Sequence, residues 1–133
     1  MKNLLGHVGI NGCIEKLLQA DGIILASPTY FTDVTADMKA FIDRVGFVTR
    51  ANGHLLRRKV GAGVVAVRRA GATHALDTMT HLFQISGMIV PGSSYWNMGY
   101  GLQPREALND QEGVTTMQNL GENIAWLMQK LAG

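Results

Sequence analysis

At 133 residues the chain is long enough for one domain with a real core and too short for two. Apolar residues make up 47% and charged residues 17%, with a formal net charge of +2 and no run of like charges, so the chain reads as globular rather than disordered. A single cysteine, Cys13, excludes an internal disulfide and any four-cysteine metal or iron–sulfur site within one chain.

The lone thiol fits a reducing cytoplasm. No apolar run approaches the roughly 18 residues of a membrane span. The opening "MKNLLGHVGINGC" lacks the apolar core of a signal peptide. A cytoplasmic protein with no membrane partner is expected. The basic clusters Arg57–Lys59 and Arg68–Arg69 read as solvated loop ends, so no nucleic-acid partner is expected either.

In chain order, "LLGHVGI" (Leu4 to Ile10) suggests a short strand, broken by Asn11-Gly12, and "CIEKLLQA" a short helix. "GIILAS" (Gly22 to Ser27) has no polar residue until its end, which predicts a strand buried on both faces. From Val34 the period changes. Val34, Met38, Phe41, Ile42, Val45 and Val48 recur every three or four positions and mark an amphipathic helix. Thr35 or Asp33 can cap its start, and Asp43 and Arg44 close its end. "VGAGVVAV" (Val60 to Val67) is the next buried strand. "RRAGATH" is a glycine-containing loop. Leu76, Met79, Leu82, Phe83 and Ser86 mark a helix that stops at Gly87. "MIVPG" (Met88 to Gly92) reads as a short strand and "SSYWNMGYGLQPREALND" as a long polar-aromatic loop, of the kind that is usually functional or mobile. Met117, Leu120, Ile124, Leu127, Met128 and Leu131 make a last helix. The methionines at helical spacing read as core fillers.

Alternating strands and helices imply a parallel sheet with crossover helices. Ligands of such sheets sit outside the carboxyl ends of the strands. Three loops fall there: Ser27 to Thr35, Arg68 to Thr73, and Gly92 to Pro104. Each carries aromatic, arginine or glycine residues rather than plain polar filler.

The blocks "ADGIILASPTYFTDVTADMKAFIDR", "VAVRRAGATHALDTMTHLFQISGMIVPGSSYWNMGYG" and "DQEGVTTMQNLGENIAWLMQKL" resemble the NAD(P)H-dependent FMN reductase and iron–sulfur flavoprotein branch of the flavodoxin-like superfamily. The resemblance covers roughly Ile14 to the C-terminus. It implies an α/β fold, a flavodoxin-like open parallel sheet in three layers, as a single domain over residues 1–133 that binds FMN. Pro28, Thr29, Tyr30, Phe31 and Val34 match the loop that lies along the flavin ring. Arg69, Ala70 and Gly71 match a second loop beside its pyrimidine edge. The physical logic agrees: a flat ring gains from aromatic and aliphatic walls, and backbone N–H groups with a nearby cation stabilise negative charge on a reduced ring.

The N-terminus departs from this pattern. Family members begin with a strand and a "GSPR"-like loop that cradles the FMN phosphate at a helix N-terminus. A helix and a second strand follow, often with a cysteine cluster. Here "VGINGCIEK" resembles a first strand running straight into the helix before "ADGII". The resemblance then implies a truncated sheet of about four strands, with helices crowded on one face and only the last helix on the other. Such a face invites dimerisation. Asn11, Gly12 and Cys13 are the candidate phosphate donors, unless residues 1–13 are not native to the family.

No residue stands out as a general acid, base or nucleophile, which suits chemistry carried by a cofactor. No metal site is expected: His74, His81 and Asp77 share helical spacing but read as helix-surface polarity. Cys13 reads as an ordinary thiol. Tyr95, Trp96 and Tyr100 either cover a ring or line a subunit interface, since members of this family commonly pair with the site at the boundary.

Three functions remain open. One is an FMN-dependent oxidoreductase that takes hydride from NAD(P)H, passes electrons to a small-molecule acceptor, and forms a homodimer or higher oligomer. Another is a flavin electron carrier without a nicotinamide site. The third is a truncated domain that no longer binds FMN and acts through dimerisation or partners.

Overall fold

Gly22–Pro28 and Val60–Val67 are runs of branched and small apolar residues. Both form strands, β1 and β2, in the computed structural model, which describes residues 9–133. They pair in parallel, from Gly22 opposite Val60 to Pro28 opposite Ala66. A third strand, β3 (Met98–Tyr100), lies beyond β2 and is also parallel, so the order is β1-β2-β3. Parallel neighbours cannot be joined by a hairpin, so helices make the crossovers. Helix α1 (Ile10–Gln19) leads into β1, α2 (Ala36–Ala51) joins β1 to β2, and α3 (Ala72–Ile85) leaves β2. After a 3-10 turn at Glu106–Asn109, α4 (Gln111–Ala132) ends the chain.

The pleat assigns the sheet two unequal faces. Ile23, Leu25 and Ser27 of β1 share one face with Gly61, Gly63, Val65 and Val67 of β2, and all are buried. That face packs in the main core with Ile14 of α1, Ile42 and Val45 of α2, and Met79, Leu82 and Phe83 of α3. The small residues of β2 let α3 sit directly on its backbone: a Cβ built at Gly61 would lie 2.8 Å from the Phe83 ring, and one at Gly63 would lie 3.2 Å from Met79 Cε. The second face carries α4, whose Met128 lies against Gly22. Val60 and Ala62 are buried there, but Ile24 is 57% exposed and Ala26 and Pro28 are also exposed.

The expectation that β1 is buried on both faces is therefore wrong. A continuous aliphatic run permits two-sided burial but does not supply the second cover. The described residues hold three strands rather than about four. The expected first strand falls on residues 4–10, of which only Gly9 and Ile10 are described. Ile10 already opens α1, and Asn11-Gly12 continues that helix instead of breaking it.

"MIVPG" is not a strand either. Only Ile89 of this segment pairs with the sheet, as a single parallel bridge to Val60. The chain then leaves the sheet and returns at Met98. The detour is fastened to α4: Ser93 Oγ donates to the Thr116 carbonyl (2.6 Å), Asn119 Nδ2 to Ser94 Oγ (2.8 Å) and Asn123 Nδ2 to the Gly92 carbonyl (2.9 Å). So β3 lies inside the stretch read as a long loop, and much of that stretch is fixed. Two carboxylates hold the rest. Glu106 accepts from the N–H groups of Leu102 and Gln103 (2.8 and 2.7 Å). Asp110 caps α4 by accepting from Gly113 N–H (3.0 Å), and its other oxygen accepts from Tyr100 N–H (2.8 Å), tying β3 to α4. These backbone donors, Gln103 first for Glu106 and Gly113 first for Asp110, hold both carboxyls below their ordinary values of 4.5 and 3.8.

At the far end of the sheet, Lys59 Nζ donates to the carbonyls of Leu18 and Ala20, binding the carboxyl end of α1 to the start of β2. No described helix is long and apolar enough to cross a membrane.

Two outcomes follow from this packing. Gly61→Val should lose on the order of 1–3 kcal/mol in denaturant unfolding, because the Phe83 ring has nowhere to go. Asp110→Ala should lose about 1 kcal/mol, as an N-cap does. Both carboxyls bind protons less readily folded than unfolded. Their stabilisation is therefore present above their ordinary values and lost as pH falls below them. Urea midpoints measured between pH 6 and pH 3 should fall less steeply in Asp110→Ala than in the parent.

Candidate functional site

The register of β1 and β2 brings their carboxyl ends to the same sheet edge, where the loops that leave them meet. The first loop begins as an extension of the ladder, with Thr29 N–H donating to the Ala66 carbonyl (2.9 Å). It then reverses in two residues. Tyr30 and Asp33 exchange both backbone hydrogen bonds (2.9 and 3.2 Å). Between them Phe31 and Thr32 both have positive φ, 50° and 69°. Two left-handed residues in a two-residue turn define the type I′ hairpin, which Asn-Gly ordinarily fills. Each non-glycine residue there costs on the order of 1 kcal/mol. The hairpin buries neither aromatic: Phe31 is fully exposed and Tyr30 is 61% exposed. Strained backbone that presents aromatic rings to solvent points to function rather than packing.

The second loop packs against the first. Arg68, Arg69 and Ala70 are exposed. Gly71 has φ 88° and caps α3, and a Cβ there would stand 2.8 Å from Thr32 Cα. Only glycine satisfies both the left-handed φ and the close approach. Thr29, Tyr30, Phe31, Val34 and Ala36 line an open concavity of about 480 Å³ beside the hairpin. Thr29 Oγ1 is buried there with no hydrogen-bond partner among the described residues. Val34 is itself a core residue and offers the concavity little of its surface.

Thus Pro28, Thr29, Tyr30, Phe31 and Val34 lie on one loop, and Arg69, Ala70 and Gly71 on another that touches it. Three residues with parts to play here were not read as site residues from the sequence: Thr32, Asp33 and Thr78. Asp33 Oδ1 accepts from Thr78 Oγ1 and from Val34 N–H, both at 2.7 Å. His74 Nε2 stands 3.7 Å from Oδ2. The Thr78 hydroxyl first, then the Val34 N–H, with smaller help from His74 and Lys39, lower the Asp33 carboxyl below its ordinary value against a small opposing effect of burial. The helix cap itself belongs to Thr35, whose hydroxyl accepts from Met38 N–H (3.1 Å).

Other hollows are of different character. One, about 800 Å³, opens between α2 and α3 beside Phe47, His81 and Ile85, with neither strained backbone nor orphaned polar atoms in its walls. An apolar cleft of about 660 Å³ lies on the second sheet face between Ala26, Ala66, Val114 and Met117. Among the described residues no group of three His, Cys, Asp or Glu side chains is close enough to hold a metal. Tyr95 and Trp96 stack edge to face with ring centres 4.6 Å apart, on the detour before β3.

Comparison with known proteins agrees with this architecture. The chain is 35% identical to an iron-sulfur flavoprotein of Methanocaldococcus jannaschii over 87% of its length and 63% of the relative's. It is 32% identical to an iron-sulfur flavoprotein of Methanosarcina thermophila over 86% and 60%. The chain thus spans about six-tenths of these relatives. Among solved structures, a flavodoxin, WrbA-like protein of Agrobacterium tumefaciens superposes with a TM-score of 0.74 at 19% identity, over 90% of this chain and 73% of that one. RosB, solved with 8-demethyl-8-formylriboflavin-5'-phosphate, superposes with a TM-score of 0.73 at 21% identity, over 92% and 53%. These place the open parallel sheet in the flavodoxin-like fold. The family model of NADPH-dependent FMN reductases matches residues 4–103, from before α1 through β3 and both loops of the sheet edge, and the chain belongs to that family.

Proposed function

We propose that the chain is an FMN-binding oxidoreductase that accepts hydride from NAD(P)H and delivers electrons to a small-molecule acceptor. One observation carries the proposal: a strained hairpin holds Tyr30 and Phe31 exposed at the carboxyl edge of a parallel sheet, braced against Gly71. The residues at this edge suit a flavin ring. Tyr30 and Phe31 offer flat walls, and a glycine in the second loop lets its backbone come close. Thr29, which lines the concavity, keeps a buried Oγ1 with no hydrogen-bond partner among the described residues.

When bound, the flavin supplies a ring that takes up hydride and releases electrons. The protein's part is to bind, orient and shield. The hairpin fixes the plane available to a ring and excludes water from one side of it. Arg69 sets a positive charge beside the second loop, where it favours an anionic ring edge. No side chain is asked to act as acid or base.

The phosphate end fits less well. Gly12 and Cys13 N–H both donate to the Gly9 carbonyl (2.9 and 3.4 Å), so two of the three candidate donors are already used within α1. A second reading therefore keeps its place: a truncated flavodoxin-like domain that acts through dimerisation or partners. The observation behind it is the exposed apolar row Ile24, Ala26 and Pro28 on the second face. On either reading, a homodimer that covers this row is proposed.

Titration of the purified protein with FMN, followed by flavin fluorescence, tests the first reading. Saturable quenching is expected, and Tyr30→Ala should weaken binding by up to about tenfold, from roughly 0.5–1.5 kcal/mol of lost ring contact. An absence of binding up to millimolar FMN would leave the second reading. Anaerobic stopped-flow mixing of the FMN-loaded protein with NADH or NADPH then tests the hydride step. Bleaching of the flavin band on the scale of catalytic turnover is expected, whereas an electron carrier would stay oxidised.

A further inference from the structure

The Tyr30–Asp33 hairpin cannot stand alone. Only two backbone hydrogen bonds close it, and its two turn residues are both in a disfavoured conformation. Its support comes from outside. At the base, Thr29 is laddered to Ala66; at the side, Thr32 rests against Gly71. The returning arm runs from Asp33 to Thr35. Val34 sits in the core and Thr35 N–H donates to Ser27 Oγ (3.1 Å), which fixes the arm where it enters α2. At the turn itself the tie is Asp33, whose side chain reaches across to α3, 45 residues away in sequence, to accept the Thr78 hydroxyl at 2.7 Å.

Thr78 has one proton and two acceptors. The Asp33 carboxylate lies at 2.7 Å and the His74 carbonyl, one turn back in α3, at 3.3 Å. The shorter contact is also the charge-assisted one, so the proton goes to the carboxylate. Without it, the hydroxyl has its own helix to turn to, and the link across to the hairpin is lost.

We propose that Asp33 is a positioning residue: its carboxylate latches the aromatic hairpin to Thr78 of α3 and so holds Tyr30 and Phe31 in the attitude that receives the flavin ring. The proposal rests on the flavin reading for its ligand and on the hairpin geometry alone for its latch. Asp33 touches no reacting atom; it acts through the two aromatics.

The test uses the full chain in two measurements. Amide hydrogen exchange of the ligand-free protein, read by NMR, reports the latch directly through the hydrogen-bonded N–H groups of Tyr30 and Asp33. Asp33→Ala and Thr78→Val should each speed both amides by roughly fivefold or more while core amides such as Val45 keep their protection. Asp33→Asn, which keeps an acceptor oxygen but loses the charge, should fall between. The double variant should be no worse than Asp33→Ala, because the Thr78 contact is already lost there. FMN titration of the same proteins should show a dissociation constant raised about tenfold in Asp33→Ala. Unchanged exchange at Tyr30 and Asp33, or acceleration spread evenly over the core, would overturn the latch. Wild-type and variant proteins that bind FMN equally would show that it positions nothing. A wild-type chain that binds no FMN would refute the flavin reading, and the exchange data would still decide the latch.

Discussion

The parallel register of β1 on β2, from Gly22 opposite Val60 to Pro28 opposite Ala66, sets where everything else can be. Parallel strands end on the same side, so the register delivers Thr29 and Arg68 to neighbouring points of one edge. Shifting it by one residue would turn Ile23 and Leu25 out of the core and carry the aromatic hairpin away from Gly71. Ladder, core and loop contact are thus consequences of one alignment. It is fixed by the burial of one face and by the two glycines of β2 that admit α3.

The two faces of the sheet do different work. The first is covered by three helices and contains most of the buried aliphatic residues. It makes the edge rigid enough for a strained turn to persist. The second has α4 against β3 and leaves part of β1 bare. That asymmetry agrees with a chain that spans about six-tenths of its curated relatives. The described part of the sheet carries the hairpin and the Arg68–Gly71 loop at its carboxyl edge.

Much of this was legible in the sequence, for physical reasons that can be named. Strand β2 matches its aliphatic run residue for residue, and β1 extends its run by one. The start of α2 was legible as Thr35 or Asp33, since either side chain can accept from a free backbone donor there, and the structure gives the cap to Thr35. Strand β3 was not legible. It is three residues long, and its place is set by hydrogen bonds from β2 and by a detour fastened to α4. The hairpin was legible as a place but not as a shape, since Phe31-Thr32 has none of the Asn-Gly chemistry that signals such a turn. The Asp33–Thr78 contact joins residues whose own neighbourhoods say nothing of each other.

Strand β1 has a further property. Among the described residues no strand lies on its outer side, and its last residue is only two positions from Tyr30. The open edge and the hairpin are therefore one mechanical piece. Any association that stiffens β1 along this edge also stiffens the turn at its end, and any ligand that orders the turn favours that association by the same free energy, because such coupling is reciprocal. A self-association along this edge and a ligand affinity at the hairpin would then be linked constants, each defined only at a stated value of the other.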